Sequence, residues 1–165
     1  SVQINAYNKQ YETNYSCVVP CNLYSEHDHF EGDKAHFVSS LINKIHEAKI
    51  NNNKQITLFG TGSVFRQFMY AGDLAKAISL LLDEKSPFLY NICNPENKTI
   101  KEIAEIALNC LDANHLEIVW DKSKPDGQIR KDASSQEFLN KFPDFTFKSL
   151  ENGIRKTYNK NYISK

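Results

Sequence analysis

Along the whole chain, short runs that read as strands alternate with longer runs of helical apolar period, and no linker rich in Pro, Gly or Ser, no repeat and no low-complexity block interrupts them. That alternation predicts an α/β unit whose helices cover largely parallel strands. Residues 2–14 are compatible with a helix that lacks a start cap. Tyr15–Val19 reads as a strand ended by Pro20, which cannot donate to a ladder. Residues 22–32 read as a polar loop. Asp33 is the expected N-cap of a helix in which Phe37, Val38, Leu41, Ile42 and Ile45 recur at helical spacing through about Ala48, and Asn51-Asn52-Asn53 ends it. Ile56–Phe59 reads as a strand before Gly60-Thr61-Gly62, and Arg66–Tyr70 as extended. Asp73 opens, or nearly opens, an apolar helix to Leu82, with Pro87 marking its exit. Phe88–Ile92 reads as a strand and Asn94–Asn97 as a turn. Thr99-Ile100-Lys101-Glu102 has the form of a capping box, heading a helix to about Leu111 whose apolar face carries Ile100, Ile103, Ala104, Ile106 and Ala107. Leu116–Trp120 is expected as a strand, Lys122–Lys131 as a loop, and two short helices near Ser134–Asn140 and Phe147–Tyr162 close the chain.

Composition narrows the partners. With 165 residues the chain can bury a core of its own, and 41% hydrophobic with 12% aromatic residues argues against disorder. Twenty basic residues balance twenty acidic ones, so the broad positive field that nucleic acid requires is missing. The longest apolar run, Ala77–Leu82, is interrupted by Ser79 and falls far short of the ~18 residues of a membrane span. No signal peptide is visible at Ser1-Val2-Gln3. Cys17, Cys21, Cys93 and Cys110 lack paired C-x-x-C spacing, so no metal site is expected, and free thiols in a reducing cytoplasm are.

The six glycines (32, 60, 62, 72, 127, 153) cannot build the glycine-rich turn of a dinucleotide-binding fold. Other segments do form an ordered series. They are Pro20-Cys21-Asn22-Leu23-Tyr24 with His27-Asp28-His29-Phe30; His36-Phe37-Val38; Phe59-Gly60-Thr61-Gly62 with Arg66-Gln67-Phe68; Asp73-Leu74-Ala75; Thr99-Ile100-Lys101-Glu102; and Ser123-Lys124-Pro125-Asp126-Gly127 with Arg130-Lys131. Over nearly its whole length the chain resembles the GDP-L-fucose synthases, a branch of the extended short-chain dehydrogenase/reductases. The Gly-x-Gly-x-x-x-Arg and Asp-Leu-Ala segments carry the resemblance to the superfamily. The Lys-Pro-Asp-Gly loop before Arg-Lys, with His36, carries the resemblance to the branch.

The resemblance implies the C-terminal part of such an enzyme, with most of the Rossmann core outside this chain. Residues 1–32 would be the end of the Rossmann portion and 33–165 the GDP-sugar binding domain. The family pairs a Tyr with a Lys four residues on; none of the eight tyrosines here has one, so the pair, the catalytic Ser and the epimerisation Cys are expected upstream. It also implies NADP as cofactor, bound mainly upstream, a homodimeric parent in the cytoplasm, and an isolated chain without turnover.

The resemblance places His36 as the acid/base residue of epimerisation, a task suited to an imidazole; a solvated histidine at a helix start is the plain alternative. Asn22 and Leu23 match residues beside the nicotinamide. Arg66, Lys44 and Lys124 match cations at the diphosphate end, where Arg grips two oxygens and Lys acts as a point charge; a solvated charge is the plain alternative for Arg66 and Lys44. Phe59 stands where the family often has Trp, against sugar or base, or is a core strand residue. The chain departs from the family at Ser25-Glu26, where Gly-Pro is usual, so an altered turn is expected there, and at Cys21, where Thr is usual. Another nucleotide sugar, such as a UDP- or dTDP-sugar, or a non-catalytic binding module, remains the competing assignment.

Overall fold

The computed structural model describes residues 2–32, 34–84 and 89–163. The order is α1 (Val2–Tyr11), β1 (Cys17–Pro20), β2 (Asn22–Tyr24), α2 (Phe37–Ile50), β3 (Gln55–Phe59), β4 (Phe65–Tyr70), α3 (Ala71–Leu81), β5 (Leu89–Ile92), β6 (Asn97–Thr99), α4 (Ile100–Cys110), β7 (Glu117–Asp121), β8 (Arg130–Lys131), α5 (Gln136–Lys141) and α6 (Leu150–Tyr158), followed by a π-helical turn Asn159–Ile163. Among the described residues the strands form three small sheets. β1 runs parallel to β5, and β3 parallel to β7. β4 is the hub of the third sheet, parallel to β2 and β8 and antiparallel to β6.

Local chemistry explains the helix starts. In α4 the capping box forms as the sequence predicts: Glu102 N donates to Thr99 Oγ1 at 3.1 Å and Thr99 N donates to Glu102 Oε2 at 2.7 Å, satisfying two amides that the helix leaves unpaired. α2 begins differently. Its N-cap is His36, in an extended conformation and without a side-chain cap, while the expected cap Asp33 lies outside the described residues. Pro87 and Phe88 lie outside them too. Asp73 sits in the first turn of α3 rather than at its cap. It is buried, and its Oδ2 accepts from Lys148 N at 2.6 Å.

Two expected loops contain strands instead, and a third strand runs from the end of the expected Asn94–Asn97 turn to the cap of α4. Asn22–Tyr24 pairs with Phe68–Tyr70, Asn97–Thr99 with Phe65–Gln67, and Arg130–Lys131 with Phe65–Arg66. Each is two or three residues long and owes its extension to hydrogen bonds from β4, so no local alternation of apolar residues announces it.

Two apolar cores flank β4. The larger joins α2, α4 and α6 through Leu41, Ile42, Ile45, Ile103, Leu108 and Ile154. Burial of each such side chain contributes about 1.5–3 kcal/mol. The smaller gathers Met69, Ala77, Leu81 and Ile92 around Phe138, whose ring lies about 5 Å from those of Phe142 (5.1 Å) and Phe145 (5.0 Å). No helix among the described residues is long and apolar enough to cross a membrane.

Candidate functional site

An open cavity of about 850 Å³ lies between α2 and the ends of β2, β3 and β4. Asn22, Leu23, His36, Lys44, Phe59 and Arg66 all line it, so residues spread over 45 positions of sequence share one wall. Lys124 does not line it, but its neighbours Pro125 and Asp126 do, and its Nζ stands 5.8 Å from the Phe59 ring centroid. On the same ring lies Lys44, with Nζ 5.2 Å from the centroid and donating to Thr57 O at 2.7 Å. Phe59 is 63% exposed, which corrects the core-strand alternative: the ring is a platform that holds two ammonium groups by cation–π attraction.

The rim of the cavity depends on glycine. Gly60 has φ +82° and Gly62 φ +76°, conformations that side chains resist. A Cβ on Gly62 would lie 2.5 Å from Trp120 Cη2, and one on Gly60 would collide with Asp126. That closeness lets Asp126 clasp the turn: Thr61 N donates to its Oδ1 at 2.6 Å and Thr61 Oγ1 to its Oδ2 at 2.7 Å. The hydrogen bonds from the Thr61 amide and hydroxyl hold the Asp126 carboxyl below the usual carboxylate range. Arg66 is fixed from the same loop, its Nη1 donating to Phe65 O and to Gln128 O, each at 2.7 Å. One edge of the guanidinium is thereby committed to backbone, and the group is oriented in the cavity wall.

His36 stands at the start of α2 with its side chain 70% exposed. Its Nδ1 is 3.0 Å from Asp28 Oδ1, and Ser39 Oγ donates to Asp28 Oδ2 at 2.6 Å. Burial would raise the Asp28 carboxyl, but the hydrogen bonds from Ser39, His36 and the His29 amide hold it below its ordinary value. Asp28 thus orients the exposed ring through Nδ1. Asn22 Nδ2 donates to Gln67 O at 2.9 Å, which sets the side chain at the carboxyl end of β1.

Asp28 and Asp126 are the carboxylates of the candidate site that residue-by-residue reasoning misses. Both stand in the matching segments, yet their partners lie 8 and 65 residues away, and nothing in the intervening sequence marks the pairing. Among the described residues no cluster of three or more His, Cys, Asp or Glu could hold a metal ion.

The model of the NAD dependent epimerase/dehydratase family matches residues 1–93. A GDP-L-fucose synthase of Dictyostelium discoideum is 32% identical over 155 residues, 92% of this chain and 48% of that protein. GDP-L-fucose synthase 1 of Arabidopsis thaliana is 36% identical over 143 residues, 85% of this chain and 43% of that protein. The crystal structure of a GDP-L-fucose synthetase from Naegleria fowleri bound to NADP superposes with a TM-score of 0.85 at 27% identity, covering 96% of this chain and 49% of that one. The chain spans about half the length of the curated relatives it matches.

Proposed function

The chain belongs to the NAD dependent epimerase/dehydratase family, and from that premise we propose that it is the substrate-binding portion of an NADP-dependent GDP-L-fucose synthase. Such an enzyme epimerises GDP-4-keto-6-deoxy-D-mannose at C3 and C5 and reduces it at C4. The observation that carries this assignment is the convergence of His36, Lys44, Phe59 and Arg66 on one cavity, with Lys124 beside it. Residues 33–165 bind the GDP-sugar, and residues 1–32 end the dinucleotide-binding portion.

Each residue has work that fits its chemistry. Epimerisation beside a ketone needs a proton removed and another returned, and the Asp28-oriented imidazole of His36 is built to exchange one. Arg66, held by two carbonyls, offers its remaining N–H groups to a phosphate in a fixed direction, while Lys44 and Lys124 supply mobile charge from either side of Phe59. A diphosphate drawn to these three cations leaves the sugar toward His36. NADPH supplies the hydride for the C4 reduction. The residues here fit the nicotinamide end of that cofactor: the Asn22 amide and the apolar Leu23 flank the cavity at a carboxyl strand end, where doubly wound sheets collect ligands. The isolated chain lacks the Tyr-x-x-x-Lys pair and turns nothing over; the parent works as a cytoplasmic homodimer.

Trp120, the chain's one tryptophan, touches the turn at Gly62 and reports on the cavity. Titration of its fluorescence with GDP, UDP and dTDP is expected to show tightest binding of GDP, weakened several-fold by Lys124→Ala and by added salt. Tighter binding of UDP, or none of the three, defeats the assignment.

A further inference from the structure

Cys21 and Cys93 occupy a place that the proposed reaction leaves unused. β1 and β5 pair in parallel from Cys17↔Leu89 to Pro20↔Ile92, so Cys21 and Cys93 are the residues that immediately follow the last paired positions. Neighbouring strands lie about 4.8 Å apart, within the Cα separation of roughly 4.4–6.8 Å that a disulfide spans. The Cys93 thiol is 3.9 Å from the Val19 carbonyl oxygen on β1, so it leans toward the neighbouring strand, and the two thiols are near enough to perturb each other's acidity. Cys93 is buried and its backbone is clamped on both sides by Ser135, whose Oγ accepts from Cys93 N and donates to Cys93 O at 2.7 Å. Cys21 is only half-buried and lines the cavity. The other two cysteines lie elsewhere: Cys110 is buried at the end of α4, and Cys17 opens β1 four residues before Cys21.

We propose that Cys21 and Cys93 are a thiol-modification site, a dithiol that a hydroperoxide converts to an intramolecular disulfide joining the carboxyl ends of β1 and β5 at the wall of the cavity. The Cys93 sulfur, as thiolate, attacks one oxygen of hydrogen peroxide; the O–O bond breaks and the second oxygen leaves as water after taking a proton. Cys93 is then a sulfenic acid. The Cys21 sulfur attacks the Cys93 sulfur, an S–S bond forms, and the S–O bond breaks to release a second water that carries off the Cys21 proton. Two thiols are oxidised, one peroxide is reduced, and two waters result. Beside Cys21 the Cys93 thiol is held below its ordinary value, although burial opposes this. A thiol reductant reverses the reaction. The site stands whichever nucleotide sugar the cavity takes.

Thiol counting and peptide mapping on the untreated and the peroxide-treated chain test this. The four thiols are expected to fall to two after peroxide, with one cross-linked peptide pair that contains Cys21 and Cys93, and to return to four with dithiothreitol. Cys21→Thr and Cys93→Ala should each abolish the cross-link. Because Cys93→Ala empties a buried position, the wild-type peptide map decides if that variant does not fold. The proposal is overturned if all four thiols survive, if the link contains Cys17 or Cys110, or if Cys93 is oxidised to a stable sulfinic acid with Cys21 untouched.

Discussion

Glu26 and Asp28 stand two residues apart on one loop, both with side chains almost covered, 12% and 11% exposed, and they do opposite things. Glu26 turns toward α6. It accepts from the Tyr70 hydroxyl at 2.7 and 2.9 Å and lies 3.5 Å from Lys156 Nζ, which itself donates to the Tyr70 hydroxyl at 2.6 Å. Asp28 turns toward the cavity and holds His36, a partner charged only when protonated. A carboxylate with a permanent cation ties two elements together. A carboxylate with a titratable partner orients an exposed ring whose charge depends on pH. Equal burial leads to different roles because the partner, and not the depth, decides which.

The largest expected effect breaks the comparison from the cavity side. His36→Gln in the active parent should lower proton exchange at the sugar by about 10²–10⁴-fold, while moving stability by no more than about 0.5 kcal/mol because the ring is exposed. Isotope exchange into the keto-sugar and a denaturation curve on one sample read both. A stability loss comparable to that of the α6 variants below would make His36 a structural residue like Lys156.

From the other side, Gly153→Ala should unseat α6. A Cβ there would collide with the Tyr24 hydroxyl and lie 2.8 Å from Tyr24 Cζ, in a core where the ring cannot retreat, at a cost of about 1–3 kcal/mol in urea unfolding. Lys156→Met removes the cation but keeps the packing. As the lysine is half exposed, about 0.5–1 kcal/mol is expected, with cavity binding unchanged. A loss of nucleotide binding in that variant would erase the distinction between the two carboxylates.

The smallest effect is in acid. Burial would raise the Glu26 carboxyl, but its own backbone amide, the Tyr70 hydroxyl and the Lys156 charge hold it below its ordinary value, as their counterparts hold Asp28. A carboxyl depressed in the folded chain stabilises it above the unfolded pKa, about 4.3 for Glu and 3.9 for Asp, and that contribution disappears as pH falls through the lower folded value. Glu26→Gln and Asp28→Asn should each flatten the acid limb of a stability–pH curve between about pH 5 and pH 2. In Lys156→Met the Glu26 carboxyl should titrate closer to its ordinary value, which a carboxyl-labelled NMR titration would show.

How far the sequence reached follows from how local each signal is. The capping box of α4, the apolar stripes of α2 and α3 and the strand end at Pro20 are set by neighbours within four residues, and all appear where the pattern places them. The π-helical ending and the strands at Asn22, Asn97 and Arg130 depend on distant partners and left no periodic trace. The two departures from the family pattern show this most clearly. The turn at Ser25 is an ordinary one, with Asp28 N donating to Ser25 O at 3.3 Å, and Glu26 in place of Pro is absorbed by Tyr70 and Lys156. Cys21 in place of Thr gains Cys93 as a neighbour.

The sequence by itself determined the α/β alternation and the capped start of α4 and, through the family resemblance, pointed to residues around the cavity, since periodicity, capping and motif spacing are written in consecutive residues. Only the tertiary structure decided which carboxylate faces His36, which clasps the glycine turn, and that two cysteines 72 positions apart each directly follow one of two paired parallel strands. Those pairings come from strand register and from close packing across the chain, where a side chain meets whatever the fold carries to it.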